Sequence, residues 1–150
     1  MDGQSITEGN REWYCRHFSA VFTDFYLFDR LLGLDAPDLD ERAGGYLLKL
    51  ELERKVQISG GTLSTTALSQ GQRKRLALLT AFLEDRAIYI FDEWAADQDP
   101  HYRQIFYERL LPELKSRGKT IVVISHDDRY YHLGDRVVKL EYGMLAREED

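Results

Sequence analysis

The sequence predicts an α/β fold in which helices cover both faces of a parallel sheet. Two short, continuous apolar runs, residues 87–91 and 120–124, predict buried strands, and helical patterns alternate with them. A third strand is expected over residues 136–141, followed by a turn at Tyr142-Gly143. A shorter helical region precedes this part, with a boundary near residues 84–86 inside one compact unit.

The composition is that of a soluble globular domain, with 43% hydrophobic and 31% charged residues in a chain of 150. This balance excludes a wholly disordered chain, and no apolar run approaches the roughly 20 residues that a membrane-spanning helix needs. The formal net charge of -6 disfavours binding to a nucleic-acid backbone. Cys15 is the only cysteine, which rules out an intrachain disulfide and favours a cytoplasmic setting.

The first half of the chain is expected to hold one strand and two helices. Loose alternation predicts a strand over residues 17–22, and apolar residues at helical spacing predict a helix over residues 41–56. Two glycines within residues 59–62 predict a break after that helix. Residues 69–84 predict the strongest helix, with leucines recurring on one face. Those leucines are Leu76, Leu79 and Leu83.

A long helix is expected to begin at Asp99 and Pro100, because Asp is a favoured cap and Pro suits the first helical position. The helix is expected to run to about residue 116. Pro112 is expected to kink it, because proline has no N–H group to donate.

Two adjacent carboxylates, Asp92 and Glu93, directly follow the strand predicted at residues 87–91. In open α/β sheets, ligands bind beyond the carboxyl ends of the strands. One carboxylate there can hold Mg²⁺, directly or through water, and the next can polarise an attacking water. The alternative is a strand that ends in a solvated acidic turn.

His126 follows the strand predicted at residues 120–124 in the same way. A histidine at this edge can donate a hydrogen bond to a phosphate oxygen or position a water molecule. The alternative is a surface histidine in a turn.

The start of the helix at residues 69–84 is a third candidate site. Ser69 and Gln72 fit the capping-box pattern S-x-x-Q, which alone would explain both residues. Gly71, however, lets the backbone approach a ligand, and a helix N-terminus offers free N–H groups and a favourable dipole to an anion. Three cationic side chains follow and are expected to favour a triphosphate: Arg73, Lys74 and Arg75.

Together these motifs resemble the ATP-binding cassette (ABC) family. Residues 68–72, Leu-Ser-Gln-Gly-Gln, resemble its signature motif, and residues 87–93 resemble its Walker B strand. Residues 96–99 fall where the family has its D-loop, and residues 122–127 resemble its switch-histidine segment. All four occur in the family's order and spacing, and this combination is far more specific than any single motif.

The resemblance implies the later half of a RecA-like P-loop NTPase core plus the helical subdomain of the family. Residues 24–85 would form the helical subdomain with the signature, and residues 86–150 the part of the core that carries Walker B, the D-loop and the switch histidine. ATP and Mg²⁺ would be bound between two cassettes, and the intact cassette would hydrolyse ATP.

The resemblance also implies a role for each matching residue. Asp92 would hold magnesium, while Glu93 and His126 would be catalytic. Asp24 is a further candidate magnesium ligand, through water; the alternative there is a polar strand terminus. The residues that would contact nucleotide are Ser69, Gln70, Gly71 and Gln72, acting on the partner cassette's nucleotide, and Asp99 of the D-loop.

A narrower resemblance is to exporters of the cyclic-peptide and siderophore type, in which a membrane domain precedes the cassette on one chain. It rests on residues 18–33, 68–79 and above all 91–100, Phe-Asp-Glu-Trp-Ala-Ala-Asp-Gln-Asp-Pro. The implied partners are a second nucleotide-binding domain and the membrane domain, with no nucleic acid. The parent protein would act at the cytoplasmic face of the inner or plasma membrane, with residues 23–34 near the membrane domain.

The sequence departs from the family pattern at two places. The phosphate-loop motif G-x-x-x-x-G-K-[ST] is absent, because Gly118-Lys119-Thr120 has Glu113 at the first glycine position and opens a strand. Thr23 stands where the family has its Q-loop glutamine. We therefore expect a cassette without its first part, inactive when isolated.

Two rival functions remain open from the sequence. A degenerate, non-catalytic interaction module is favoured by the missing phosphate loop and opposed by the presence of Asp92, Glu93 and His126. A DNA-associated ATPase of the chromosome-maintenance type would share the signature and Walker B. It also predicts long heptad segments, which this acidic chain lacks.

Overall fold

The computed structural model describes residues 3–34 and 36–146. In chain order the elements are α1 (Arg11–Cys15), β1 (Phe18–Val21), α2 (Leu39–Lys49), β2 (Ile58–Ser59), β3 (Thr62–Leu63), α3 (Gln70–Glu84), β4 (Ile88–Asp92), α4 (Pro100–Ile105), a π-helical segment (Phe106–Leu110), α5 (Leu111–Ser116), β5 (Thr120–Ile124), a 3-10 turn (Asp128–Leu133), β6 (Leu140–Glu141) and β7 (Met144–Leu145).

The predicted α/β class is confirmed by a three-stranded parallel sheet in the order β1–β4–β5, within the described residues. Val21 of β1 lies beside Phe91 of β4, and Asp92 at the end of β4 lies beside Ile124 of β5. Since the three strands run parallel and in register, their carboxyl ends meet at one edge. That edge brings together the groups that follow each strand.

Helix α3 forms as predicted and packs against α2 and β1. Its capping box is complete, with Ser69 as the cap and Gln72 at the third helical position. The leucine face predicted from the spacing is buried, and Phe82 adds to it. Because α3 has neighbours on more than one side, its buried surface is wider than a single stripe.

Helix α2 is shorter than the helix predicted over residues 41–56, because it ends at Lys49. Glu51 adopts a left-handed backbone with φ 51°. The Leu52 N–H then reaches back to the Leu47 carbonyl at 2.8 Å, which is the Schellman ending of a helix. Leu52 and Val56 stay fully buried beyond that ending. The spacing of the apolar residues beyond Lys49 therefore reflects their burial in the core and not a continuing helix.

The long helix begins as predicted, with the Asp99 carboxylate accepting from the Tyr102 N–H at 3.0 Å and with Pro100 in the first turn. It continues to Ser116. The disturbance predicted at Pro112 takes the form of the π-helical segment just before it. Proline cannot donate the expected hydrogen bond, and a wider turn accommodates that loss.

The strand predicted over residues 136–141 is wrong in extent and in pairing. Only β6 forms there, and it pairs antiparallel with β7 around a turn at Tyr142 and Gly143, which was predicted. No described strand lies beyond β5 to link this hairpin to the parallel sheet, so the hairpin satisfies its own hydrogen bonds. Within residues 3–34 and 36–146, β5 is therefore an edge strand.

No helix in the described part of the chain is both long enough and apolar enough to cross a membrane.

Candidate active site

The carboxyl edge of the sheet brings the two predicted catalytic side chains into contact. Glu93 follows β4, and its backbone N–H donates to the carbonyl of Ile124 at 3.0 Å, which keeps it beside the end of β5. His126 lies two residues after β5, and its Nδ1 is 2.9 Å from Glu93 Oε2. The pairing of β4 with β5 thus brings together two side chains that are 33 residues apart in the sequence.

Both side chains of this pair are accessible. The Glu93 side chain is 30% exposed and the His126 side chain is 79% exposed. They line a pocket of about 220 Å³ together with Ala96, Arg103 and Ser125. A water molecule or a phosphate group can therefore reach the carboxylate.

The backbone of Glu93 is held in an uncommon conformation, with φ 48°. A non-glycine residue in this region costs about 1–3 kcal/mol and persists only where its surroundings fix it. The Glu93 carbonyl accepts from the Ala96 N–H and from Lys74 Nζ, each at 3.2 Å. With the bond from its own N–H to Ile124, these contacts fix Glu93 on both sides of its α-carbon.

Of the two predicted magnesium ligands, Asp92 is the last residue of β4, and Asp24 lies three residues beyond the end of the neighbouring β1. The Thr23 hydroxyl donates to the Asp92 carbonyl at 3.1 Å, and the exposed Asp24 follows Thr23. Carboxylate and hydroxyl oxygens suit Mg²⁺, which in nucleotide sites needs only one or two carboxylates besides phosphates and water. The donor set therefore fits magnesium. The described residues contain no cluster of three or more His, Cys, Asp and Glu side chains that would hold a metal by itself.

The signature residues lie at the N-terminus of α3, where capping is fully formed. Ser69 Oγ accepts from the Gln72 N–H at 3.3 Å, and Gln72 Oε1 accepts from the Ser69 N–H at 3.1 Å. The loop 94–98 covers one side of this turn, with Gln98 Nε2 donating to the Gly71 carbonyl at 3.2 Å. Gln70 Nε2 likewise donates to Asp97 at 3.2 Å.

The prediction that three cations add to a phosphate site is wrong for two of them. Lys74 is buried and pairs with Asp97 at 2.7 Å. Arg75 lies 3.9 Å from the centre of the Tyr102 ring and donates to a backbone carbonyl of α2's end. Both positions face the protein because α3 is covered on these sides, and only Arg73 is exposed.

The structure does not bring the signature into the Glu93–His126 pocket. The pocket is lined by residues that follow β4 and β5 and by Arg103 of α4, all within the described chain. None of Ser69, Gln70, Gly71 and Gln72 lines it, and the loop 94–98 lies beside them instead. This arrangement is compatible with action on a partner's nucleotide, which stays a prediction. Asp99 serves as the cap of α4, and its D-loop role also stays a prediction.

The sequence did not predict the ion-pair network that lines one side of this pocket. The Asp127 carboxylate accepts two bonds from Arg129, at 2.7 and 2.8 Å, and one from Arg103 at 3.2 Å. The hydrogen bond from Arg129 holds the pKa of Asp127 down at about 2. Arg103 also donates to the Gln98 carbonyl at 3.2 Å, so it ties the loop 94–98 to the segment after His126. Asp127 stands next to His126, the predicted switch histidine, but no periodic pattern marks Arg103.

Comparisons with known proteins identify the family of this chain. A family model described as ABC transporter matches residues 1–96. The ATP-binding protein SyrD of Pseudomonas syringae pv. syringae is 55% identical over 152 residues, covering 99% of this chain and 27% of that protein. The Nod factor export ATP-binding protein I of Rhizobium sp. (strain N33) is 33% identical over 129 residues, covering 85% of this chain and 40% of that protein. The chain thus spans well under half the length of these relatives.

One solved structure shows the same fold over nearly the whole chain. It is the dimeric, post-hydrolysis state of the ATP-binding cassette MJ0796 bound to ADP and Pi, with a TM-score of 0.76 and 23% identity. The likeness covers 97% of this chain and 68% of that one. With the family model matching most of the chain, these 150 residues belong to the ABC transporter family and form part of its ATP-binding domain.

Proposed function

We propose that this chain carries the catalytic part of an ATP-hydrolysing cassette that drives export of a cyclic peptide or a siderophore. Membership of the family supports ATP binding and hydrolysis by the intact cassette. The name of the relative at 33% identity supports export. The cargo class rests on residues 91–100, whose resemblance is to exporters of that type.

The observation that carries the proposal is the 2.9 Å contact between His126 Nδ1 and Glu93 Oε2 at the carboxyl edge of the sheet. Glu93 takes a proton from the attacking water as the water oxygen bonds to the terminal phosphorus and the bond to the ADP oxygen breaks. When both ring nitrogens of His126 carry protons, Nδ1 donates to the carboxylate and holds it in place, and Nε2 donates to a phosphate oxygen as charge develops. Asp92, with Asp24 through water, would hold Mg²⁺, which neutralises phosphate charge.

The complete active unit in this proposal is a dimer of cassettes. Ser69, Gly71 and Gln72 of one subunit would close over the nucleotide whose cleavage is catalysed by Glu93 and His126 of the other. The separation of these two groups within one chain supports that division. A dimeric state is also the one in which the structural neighbour was solved.

The membrane domain is the second proposed partner, at the cytoplasmic face of the inner or plasma membrane. The segment after β1 supports a docking role, because it exposes large apolar side chains to solvent. Tyr26 is 76% exposed, Phe28 55% and Leu32 62%.

Hydrolysis by the complete cassette, meaning these residues together with a phosphate loop, tests the proposed function. Glu93→Gln should keep Mg-ATP binding and lower kcat by at least ~10²-fold, the low end of a general-base contribution. Glu113→Gln is the matched control, because Glu113 is a half-exposed carboxylate on α5 that pairs with Lys49. Near-normal turnover in Glu93→Gln would overturn the catalytic assignment. Stimulation of wild-type hydrolysis by a cyclic peptide or by a siderophore, measured with the membrane domain present, then tests the cargo class.

A further inference from the structure

Lys74 is a buried cation that the proposed chemistry leaves without a role. Its side chain is 1% exposed, although an ammonium group is costly to remove from water. Its Nζ is 2.7 Å from Asp97 Oδ2 and donates to the Glu93 carbonyl at 3.2 Å. An apolar side chain of the same length would fill this space without the desolvation cost, so packing alone does not account for a lysine here.

The two partners of Lys74 belong to the two functional groups of the chain. Glu93 bears the carboxylate that contacts His126, and its left-handed backbone needs outside contacts to persist. Asp97 also accepts from Gln70 of the signature at 3.2 Å. Lys74 itself lies on α3, two residues after the signature, and its own carbonyl accepts from the Trp94 indole at 3.0 Å.

We propose that Lys74 is a positioning residue that couples the signature to Glu93 within each subunit. Its ion pair with Asp97 connects it to the position of the signature turn. Its hydrogen bond to the Glu93 carbonyl sets the placement of the catalytic carboxylate. Because the signature serves the partner's nucleotide, this link makes hydrolysis at one site of the dimer depend on occupancy of the other. The inference rests on the proposed function.

Lys119 provides a matched control at the opposite edge of the sheet. Its side chain is 15% exposed, its Nζ is 2.9 Å from Asp85 Oδ1, and it donates to the Asp85 carbonyl at 3.0 Å. It thus makes the same pair of contacts, an aspartate and a backbone carbonyl, just before β5 begins. Lys119→Met removes the same two kinds of contact as Lys74→Met, without touching the Glu93 segment.

Amide hydrogen exchange on the full chain tests the local part without nucleotide. The Ala96 N–H is bonded to the Glu93 carbonyl, and the Thr120 N–H is bonded to the Ala87 carbonyl near Lys119. Lys74→Met should speed exchange at Ala96 by about tenfold and leave Thr120 unchanged, while Lys119→Met should do the reverse. Equal exchange at Ala96 in Lys74→Met and the wild type would overturn the proposal.

Kinetics of the complete cassette test the coupling. Lys74→Met should lower kcat by about tenfold with KM nearly unchanged, and bring the Hill coefficient for ATP to about 1. Lys74→Gln keeps an amide donor for the Glu93 carbonyl and should recover most of kcat. Lys119→Met should keep the wild-type kcat and Hill coefficient.

Wild-type kinetics in Lys74→Met, or the same loss in Lys119→Met, would overturn the inference. A wild type without hydrolysis would instead overturn the proposed function.

Discussion

At the scale of single residues, the site depends on backbone contacts that no motif records. The pairing of Glu93 with His126 could be predicted, because strands 87–91 and 120–124 were recognised and parallel strands end at one edge. The left-handed conformation of Glu93 and the burial of Lys74 could not. The charge of Lys74 predicted a contribution to a phosphate site, whereas its position on α3 faces the loop after β4.

Ser69 caps α3 and has a second, proposed role at the partner's phosphate, and one substitution separates the two. Ser69→Asp should keep the cap of α3, because Asp caps helices as well as Ser, but it places a negative charge against the partner's phosphate. We expect Tm to stay within about 2 °C and ATP-driven dimerisation of the complete cassette to be lost. Size-exclusion chromatography with Mg-ATP, in a Glu93→Gln background, measures this. Ser69→Asn, which caps without charge, is the control, and survival of the Ser69→Asp dimer would leave capping as the only role.

At the scale of elements, the sequence predicted those whose local pattern and tertiary neighbours agree. Helix α3 has both a capping box and a buried leucine face, and β4 and β5 are continuous apolar runs. The helix predicted at α2 was too long, because apolar residues after its Schellman ending are buried in the same core. The prediction of a strand over residues 136–141 was wrong because a strand needs a partner to pair with. Sequence periodicity carries no information about which neighbours are present.

The ending of α2 offers a stability test at this scale. Glu51 holds a left-handed φ of 51°, which glycine adopts without strain. Glu51→Gly should therefore stabilise the chain by up to about 1 kcal/mol, raising Tm by about 2–4 °C, while loss of its exposed contact with His101 costs little. Glu53→Gly, two residues on at an exposed position without a positive φ, should lower Tm. Thermal denaturation distinguishes them, and a lower Tm in Glu51→Gly contradicts this explanation of the ending.

At the scale of the whole molecule, the parallel sheet has an open edge. The outer side of β5 has no partner within the described residues, and its side chains Val122 and Ile124 are about half exposed, at 45% and 49%. Edge strands with exposed apolar side chains tend to pair with another chain. The structural neighbour has about a third of its length without a counterpart here, and the sequence holds no phosphate loop.

We expect the 150-residue chain alone to bind Mg-ATP weakly, if at all, and to self-associate. Without a phosphate loop, Asp92 and Glu93 face the nucleotide as negative charge, and the open β5 edge offers a site for pairing. Calorimetry with Mg-ATP and light scattering measure the two effects. Val122→Lys should reduce self-association, because a charged side chain protects a sheet edge. Micromolar ATP affinity would contradict the first expectation, and a clean monomer would contradict the second.

The central claim is that Glu93 and His126 act as one catalytic unit, and a double-mutant cycle on hydrolysis by the complete cassette tests it most directly. Single-turnover rates with Mg-ATP would be measured for Glu93→Gln, His126→Ala and the double variant. If the two groups act together, removing either one already removes their joint contribution. Each single substitution should therefore lower the rate by at least ~10²-fold. The double variant should then be within about threefold of the slower single variant. Losses that multiply in the double variant, or a single variant with wild-type rate, would contradict the claim.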